Sequence, residues 1–259
     1  GEVYLKLGDP RGAFQAYSKV AELDPDDVDA QLKLATFHFL GKNTEEARKR
    51  VEAVLAKEPG NLQALFLMAA VEDREENLFE AELTYERILE IEPENAKAML
   101  GLARVYARQG KKDQTEKILK EAVAIASDDV QPAVALFSFY RSIGDLAGAE
   151  SVIKDAIASH PKDADLQILL GNFYYSRNMP SRAEEAYLTA VDLAPEQVNP
   201  YMVAAGFYRR TGQADAALSM YEKALSLKPE DVGILNTIAE FHLDANNVEQ
   251  AESTIEKIL

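Results

Sequence analysis

The sequence predicts an all-α fold, a solenoid of stacked antiparallel helix pairs, and three regularities predict it. A proline recurs every 34 residues, at Pro25, Pro59, Pro93, Pro161, Pro195 and Pro229. Alanine recurs at the same interval twelve positions before each of these prolines. Between these markers, apolar residues follow the period of a helix rather than the alternation of a strand. Successive short helices joined by tight turns form stacked pairs, since each pair buries its apolar face only against its neighbours.

Composition sets the outer limits on function. The chain has 259 residues, 47% of them hydrophobic, which is typical of a folded protein. No apolar run reaches the length of a membrane span, and no signal-peptide pattern is present. The absence of cysteine excludes disulfides and thiolate chemistry. It fits a cytoplasmic and an extracytoplasmic location alike, so the localisation stays open. The net charge of −16 disfavours binding to nucleic acid and to anionic membranes, because both carry charge of the same sign, and without an apolar run no membrane insertion by this segment is expected.

The 34-residue interval divides the whole chain into a single array without insertions. Each repeat is numbered so that the proline occupies position 32. The predicted bounds are 1–27 for partial repeat 1, then 28–61, 62–95, 96–129, 130–163, 164–197 and 198–231 for repeats 2 to 7, and 232–259 for truncated repeat 8.

Each repeat reads as two helices in order. The first carries apolar or small residues at positions 4, 7, 8 and 11, and in six repeats it ends at a Gly or Asn at position 15. These residues tolerate the left-handed backbone that closes a helix. The second carries positions 20, 24 and 27 and is stopped by the proline. Two residues later an Asp or Asn caps the next helix, at Asp27, Asn61, Asn95, Asp129, Asp163 and Asp231, with Gln197 as the exception.

This pattern resembles the tetratricopeptide repeat (TPR) family, whose 34-residue unit has small residues at positions 8 and 20, aromatic residues at 11 and 24, and proline at 32. The resemblance covers the whole chain and implies a right-handed superhelical solenoid. The tryptophan that is frequent in the family at position 4 is missing. Thr115, Ser127 and Phe137 also depart from the pattern, so we expect repeat 4 to pack on repeat 5 differently from the other junctions.

The two ends fall inside predicted helices. Gly1 occupies position 8 of a first helix, and Leu259 occupies position 28 of a second helix. Because natural domains rarely begin or end inside a helix, we expect a fragment of a longer repeat array.

No pattern in the sequence predicts catalysis, a metal or a cofactor. His38 and His242 occupy position 11, where we expect core residues, and His160 precedes Pro161 in a turn. The glycines are scattered along the chain and form no phosphate-binding loop. The 44 carboxylates fall mostly on predicted surfaces and turns. The sequence therefore predicts a non-catalytic segment.

The resemblance places a ligand-binding groove on the first helices, at positions 2, 5, 9, 12 and 13. Position 5 is apolar in six of seven full repeats, and six of the twelve arginines fall on positions 9, 12 and 13. The candidate binding residues are Phe39, Phe66, Arg74, Leu100, Arg104, Arg108, Arg141, Tyr175, Arg209 and Arg210.

An apolar floor with guanidinium groups at its rim suits a protein segment or extended peptide that has apolar anchors and acidic groups. The chain is thus predicted to be a protein-binding scaffold. No repeat has Lys at position 5 with Asn at position 9, so the family's clamp for chaperone C-termini is not expected. A structural explanation competes with the groove, because arginine in the last turn of a helix also stabilises the helix dipole.

Two further functions stay open. The alternatives to the scaffold are a regulatory or substrate-presenting arm of a larger enzyme and a self-assembly module. Residues 104–120 are rich in Lys and Arg, whereas residues 230–259 hold seven acids and one lysine, a distribution that favours end-to-end association.

Overall fold

The computed structural model describes residues 1–256, which form sixteen α-helices and no strand. The helices are α1 Glu2–Lys6, α2 Pro10–Leu23, α3 Val28–Leu40, α4 Thr44–Lys57, α5 Leu62–Arg74, α6 Leu78–Ile91, α7 Ala96–Arg108, α8 Lys112–Ile125, α9 Gln131–Ile143, α10 Leu146–Ser159, α11 Ala164–Ser176, α12 Pro180–Leu193, α13 Val198–Arg210, α14 Ala214–Leu227, α15 Val232–Asp244 and α16 Val248–Glu256. We call the odd-numbered helices first helices and the even-numbered ones second helices. The predicted all-α fold is confirmed, while Leu259 lies outside the described residues.

The chain folds as two compact units, Gly1–Phe139 and Tyr140–Leu259, with the boundary inside α9. Within each unit, successive helices pack as antiparallel pairs, such as α3 with α4 and α11 with α12. Neighbouring first helices also touch, as α3 touches α5 and α11 touches α13. This second contact matters for function, because it brings equivalent positions of consecutive repeats side by side.

Every turn between a first and a second helix contains a residue with a left-handed backbone. Glycine or asparagine takes this conformation at Gly8, Gly110, Gly144, Asn178, Gly212 and Asn246. The same turn in the two remaining repeats uses Lys42 and Glu76, at φ 63° and 62°. The repeat geometry therefore demands this conformation even where the side chain disfavours it.

The predicted helix caps are present. The Asp27 carboxylate accepts a hydrogen bond from the Ala30 amide at 2.7 Å, and Asn61, Asn95, Asp163 and Asp231 accept equivalent bonds. Asp129 accepts instead from the Gln131 amide, because the residue three positions on is Pro132, which has no N–H. Gln197 makes no side-chain cap, as its type predicts. These bonds satisfy amides that the first turn of a helix leaves without a partner.

The core lies between the paired helices, at the small residues that the sequence pattern singles out. Ala35 and Ala47 are completely buried beside Val51 and Leu32. At Gly171 a neighbouring ring takes the space of a side chain, because an added Cβ would lie 2.6 Å from the Tyr187 ring. The absence of a side chain at Gly171 therefore leaves room for Tyr187.

The three residues that depart from the repeat pattern differ in their surroundings. Thr115 is buried, and its hydroxyl donates to the Lys111 carbonyl at 2.8 Å, so the polar group is satisfied. Phe137 is completely buried. Ser127 is exposed in the turn that lacks proline. The packing difference that we expect between repeats 4 and 5 stays a prediction.

Candidate binding surface

The candidate surface consists of the side chains at positions 5, 9, 12 and 13 of the first helices, which we call the first-helix surface. In the unit 1–139 its members lie on α3, α5, α7 and the first part of α9, and in the unit 140–259 on the last part of α9, α11, α13 and α15. The two units thus carry separate stretches of this surface.

Phe39 and Arg74 form the first contact across neighbouring repeats. The Arg74 guanidinium lies over the Phe39 ring, 3.6 Å from its centroid, and also donates to the Phe39 carbonyl oxygen. A guanidinium stacked on an aromatic face gains about 0.5–1 kcal/mol at an exposed site. Two candidate residues from different helices therefore form one composite patch.

Arg104 and Arg108 converge on Asp73, a residue that the sequence pattern did not single out. Arg104 lies 3.0 Å from one carboxylate oxygen of Asp73, and Arg108 lies 2.5 Å from the other. Arg108 also donates to the Asp73 carbonyl oxygen at 3.1 Å. Both arginines stay accessible, with side-chain exposures of 56% and 37%. Glu76 lies 3.7 Å from Arg108, so two carboxylates face the two arginines, which form a paired cluster rather than isolated charges.

An aromatic floor accompanies this cluster. The rings of Phe66 and Tyr85 meet edge to face, with centroids 6.5 Å apart, and the Lys97 ammonium lies 4.6 Å from the Phe66 centroid. The Arg104 guanidinium lies 3.4 Å from the Tyr85 hydroxyl. Burial raises the pKa of Tyr85, so the phenol stays neutral. Leu100 is half-buried on α7 and adds aliphatic surface.

The second unit repeats the ring-and-guanidinium arrangement. The Arg210 guanidinium lies 5.3 Å from the centroid of the Tyr175 ring, which packs edge to face on Phe207 at 5.7 Å. The Tyr187 hydroxyl, from the second helix α12, donates to the Asn172 side chain at 2.9 Å. Tyr175 is half-buried, so part of its ring is accessible to a ligand.

The last two candidates differ from the others. Arg209 pairs with the Asp244 carboxylate of the next repeat, and its side chain is 35% exposed. Arg141 is exposed on α9, close to the boundary of the two units.

One rule accounts for four of these contacts. Position 12 of one repeat meets position 13 of the next, so the partners are 35 residues apart: Phe39 with Arg74, Asp73 with Arg108, Tyr175 with Arg210, and Arg209 with Asp244. Neighbouring first helices run in the same direction, which brings these positions together. The arginines were predicted from the sequence, whereas Asp73 and Asp244 were missed, although the 35-residue spacing is present in the sequence.

Comparison with known proteins gives this architecture a family. The family model described as "Tetratricopeptide repeat" matches residues 4–71, 74–136, 143–205 and 208–259. The chain belongs to the tetratricopeptide repeat family. No curated protein sequence matches this TPR chain.

Solved structures of other TPR proteins share the fold. A tetratricopeptide repeat protein from Parabacteroides merdae superposes with a TM-score of 0.61 at 14% identity, covering 97% of this chain and 95% of its own. Yeast Tom70 gives a TM-score of 0.68 at 16% identity, covering 95% of this chain and 54% of its own. Pseudomonas aeruginosa pilF gives 0.55 at 16% identity, covering 82% and 97%. At these identities the likeness concerns the fold alone.

The histidines of this TPR chain take no part in the first-helix surface contacts. His242 is buried, and His38 is half-buried with its ring 5.6 Å from Phe14, so His38 belongs to the core only in part. Burial and the nearby Arg50 lower the pKa of His38.

Within residues 1–256, no group of three His, Asp or Glu side chains is arranged to hold a metal ion. No helix in the same range is long and apolar enough to cross a membrane.

Proposed function

We propose that this TPR chain is a non-catalytic scaffold that binds a protein segment or extended peptide on its first-helix surface. Proteins of this family are generally interaction modules. The observation that carries the proposal is the recurring pair of an accessible ring and a guanidinium, Phe39 with Arg74 and Tyr175 with Arg210. Rings and arginines at the centre of an interface supply most of the binding energy in many complexes.

The preferred ligand binds mainly through apolar side chains and to a smaller extent through acidic groups. Phe66, Leu100 and Tyr175 are half-buried, so each presents part of an apolar side chain to a ligand. An acidic group on the ligand has to compete with Asp73 for Arg104 and Arg108, because Asp73 already lies between them. Apolar contact therefore contributes the larger share of affinity, and charge mainly selects among ligands.

A selection from random, blocked peptides tests the proposal with single variants. Peptides that bind the native chain are measured by fluorescence anisotropy against Phe39→Ala and Tyr175→Ala. We expect enrichment in apolar and acidic residues and an affinity about tenfold lower for at least one variant, the effect of about 1.4 kcal/mol. Circular dichroism verifies that each variant is folded.

Phe79→Ala is the matched control. Phe79 is a 64% exposed ring on the second helix α6, so the substitution removes an aromatic surface of similar size elsewhere. Equal losses for Phe79→Ala, or unchanged affinity in both first-helix variants, would show that the ligand binds away from the first-helix surface.

A further inference from the structure

A second candidate site lies in the unit 140–259, away from the first-helix surface. A pocket of about 350 Å³ opens between the second helices α10 and α12, and α11 forms its floor through Leu170 and Tyr174. Lys154 lines one wall, and Arg182 and Thr189 line the other. The α11 residues here occupy positions 7 and 11, a different stripe from positions 5, 9 and 12 of the first-helix surface.

Three cations surround one carboxylate beside this pocket. Lys154 donates to Glu150 at 2.7 Å, Arg177 at 3.3 Å, and the Tyr174 hydroxyl at 2.8 Å. Arg182 lies 3.7 Å from the same carboxylate, too far for a hydrogen bond. Hydrogen bonds from Lys154 and Tyr174 lower the pKa of Glu150, so the carboxylate stays ionised.

The hydrogen bond between Tyr174 and Glu150 does not by itself account for so many cations. The equivalent bond in the next repeat joins the Tyr208 hydroxyl to Glu184 at 2.9 Å. In the part of the chain that the structure describes, no Lys or Arg pairs with Glu184. The same packing contact is thus made without cations at Glu184, whereas three cations surround Glu150.

The positive charge around Glu150 is confined to the pocket and its rim, and it faces solvent. Lys154 and Arg182 each keep 54% of the side chain exposed and line the pocket. Glu185 also lines the pocket, so three cations face two carboxylates and leave about one positive charge. The three cations gather here in a chain whose net charge is −16.

We propose that the pocket between α10 and α12 binds the carboxylate side chain of an Asp or Glu on a protein partner. Arg182 supplies planar N–H donors suited to a carboxylate, and Lys154 supplies a point charge. The carbon stem of the bound side chain rests on Leu170, at the pocket floor. A single positive charge matches a monoanion better than a phosphate dianion, and the acidic remainder of the chain repels polyanions.

Nuclear magnetic resonance with blocked pentapeptides tests this site. The probe is acetyl-Ala-Leu-Glu-Leu-Ala-amide, and the comparison peptide carries Gln in place of Glu. We expect the amide signals of Lys154, Gln167, Arg182 and Thr189 to shift with the Glu peptide and not with the Gln peptide. The Lys154→Gln/Arg182→Gln double variant should weaken the interaction at least fivefold.

A matched variant separates a specific site from general electrostatics. Lys223→Gln/Lys228→Gln removes the same charge from α14 and the turn that follows, and it should leave the affinity unchanged. The proposal is overturned if this control loses equal affinity, if both peptides shift the same signals equally, or if 10 mM Glu peptide causes no shift. Tighter binding of a phosphoserine peptide would replace the carboxylate by a phosphate as the ligand.

Discussion

The Arg74 guanidinium stacks on the Phe39 ring of the preceding repeat, 3.6 Å from its centroid. Two neighbouring first helices are thereby joined through their side chains as well as through their cores. The contact belongs to the candidate binding surface and to the structural interface between repeats, so the same residues affect both properties.

Replacing Arg74 with Gln should lower the free energy of unfolding by about 0.5–1 kcal/mol, because the cation–π contact is lost. Urea denaturation measures the change. Lys49→Gln, on the exposed face of α4, removes one positive charge without touching an aromatic ring and serves as the control. If both variants unfold at the same urea concentration, the stacking contributes nothing measurable to stability.

Charge reversal at Arg108 should destabilise the protein as well as any acidic complex. The new Glu would lie beside Asp73, whose side chain is only 18% exposed, and like charges at this distance repel. We expect a loss of about 1 kcal/mol, which a second substitution, Asp73→Asn, should largely restore because it removes the repulsion without placing a cation beside Arg104. A loss that Asp73→Asn does not restore would point to lost packing of the arginine stem. Binding experiments are better made with Arg108→Gln.

Replacing Lys42 with Gly should stabilise the protein. Lys42 has a left-handed backbone at φ 63°, which costs a non-glycine residue about 1 kcal/mol. Glycine pays no steric cost there, although it adds entropy to the unfolded chain, so we expect a net gain of about 0.5 kcal/mol. Gly110→Ala, at φ 76° in the equivalent turn, should shift the thermal midpoint in the opposite direction. Equal shifts would mean that the turn conformation is not the cause.

Glu72 should reduce stability at neutral pH. Its side chain is buried, and burial raises its pKa above the usual 4.5 despite a hydrogen bond from Thr84 and the charge of Arg48. A raised pKa in the folded state means that stability is highest at low pH and falls as the pH rises through that pKa. Glu72→Gln should therefore be more stable than the native chain at pH 7, and the difference should vanish at acid pH.

Glu75, which pairs with the same Arg48 as Glu72, should show the opposite dependence of stability on pH. Burial would raise its pKa, but hydrogen bonds from Arg48 and Thr44 lower it below the usual value. Glu75 stabilises the protein at pH values above the pKa that it has in the unfolded chain. This stabilisation is lost as the pH falls through the lower pKa that Glu75 has in the folded protein. Glu75→Gln should lower stability at pH 7, as measured by thermal unfolding across pH 3–8. The assignment is wrong if both variants respond to pH in the same direction.

Much of the fold is predictable from the repeat pattern alone. Turn residues such as Gly110 and caps such as Asn95 are recognisable because only a few residue types perform those tasks. Lys42 and Glu76 are not recognisable as turn residues, since neither side chain favours the left-handed backbone that the neighbouring helices impose.

The candidate surfaces are less predictable, for a physical reason. The sequence places Arg108 on the first-helix surface, but its partner Asp73 is found only by combining the repeat length with the offset between neighbouring helices. The Glu150 cluster is harder still to predict. Lys154, Arg177 and Arg182 belong to three separate segments without periodic spacing, so only the packed structure brings them together.

The contacts at 35-residue spacing make the order of the repeats matter. If residues 62–95 were deleted, Phe39 would meet Arg108, which again joins a ring to a guanidinium. If residues 198–231 were deleted, Tyr175 would meet Asp244, and a ring would face a carboxylate. Repeats of equal length in this array are therefore not interchangeable. Deletion of one repeat keeps a ring-to-guanidinium contact at the first of these joints and replaces it by a ring beside a carboxylate at the second.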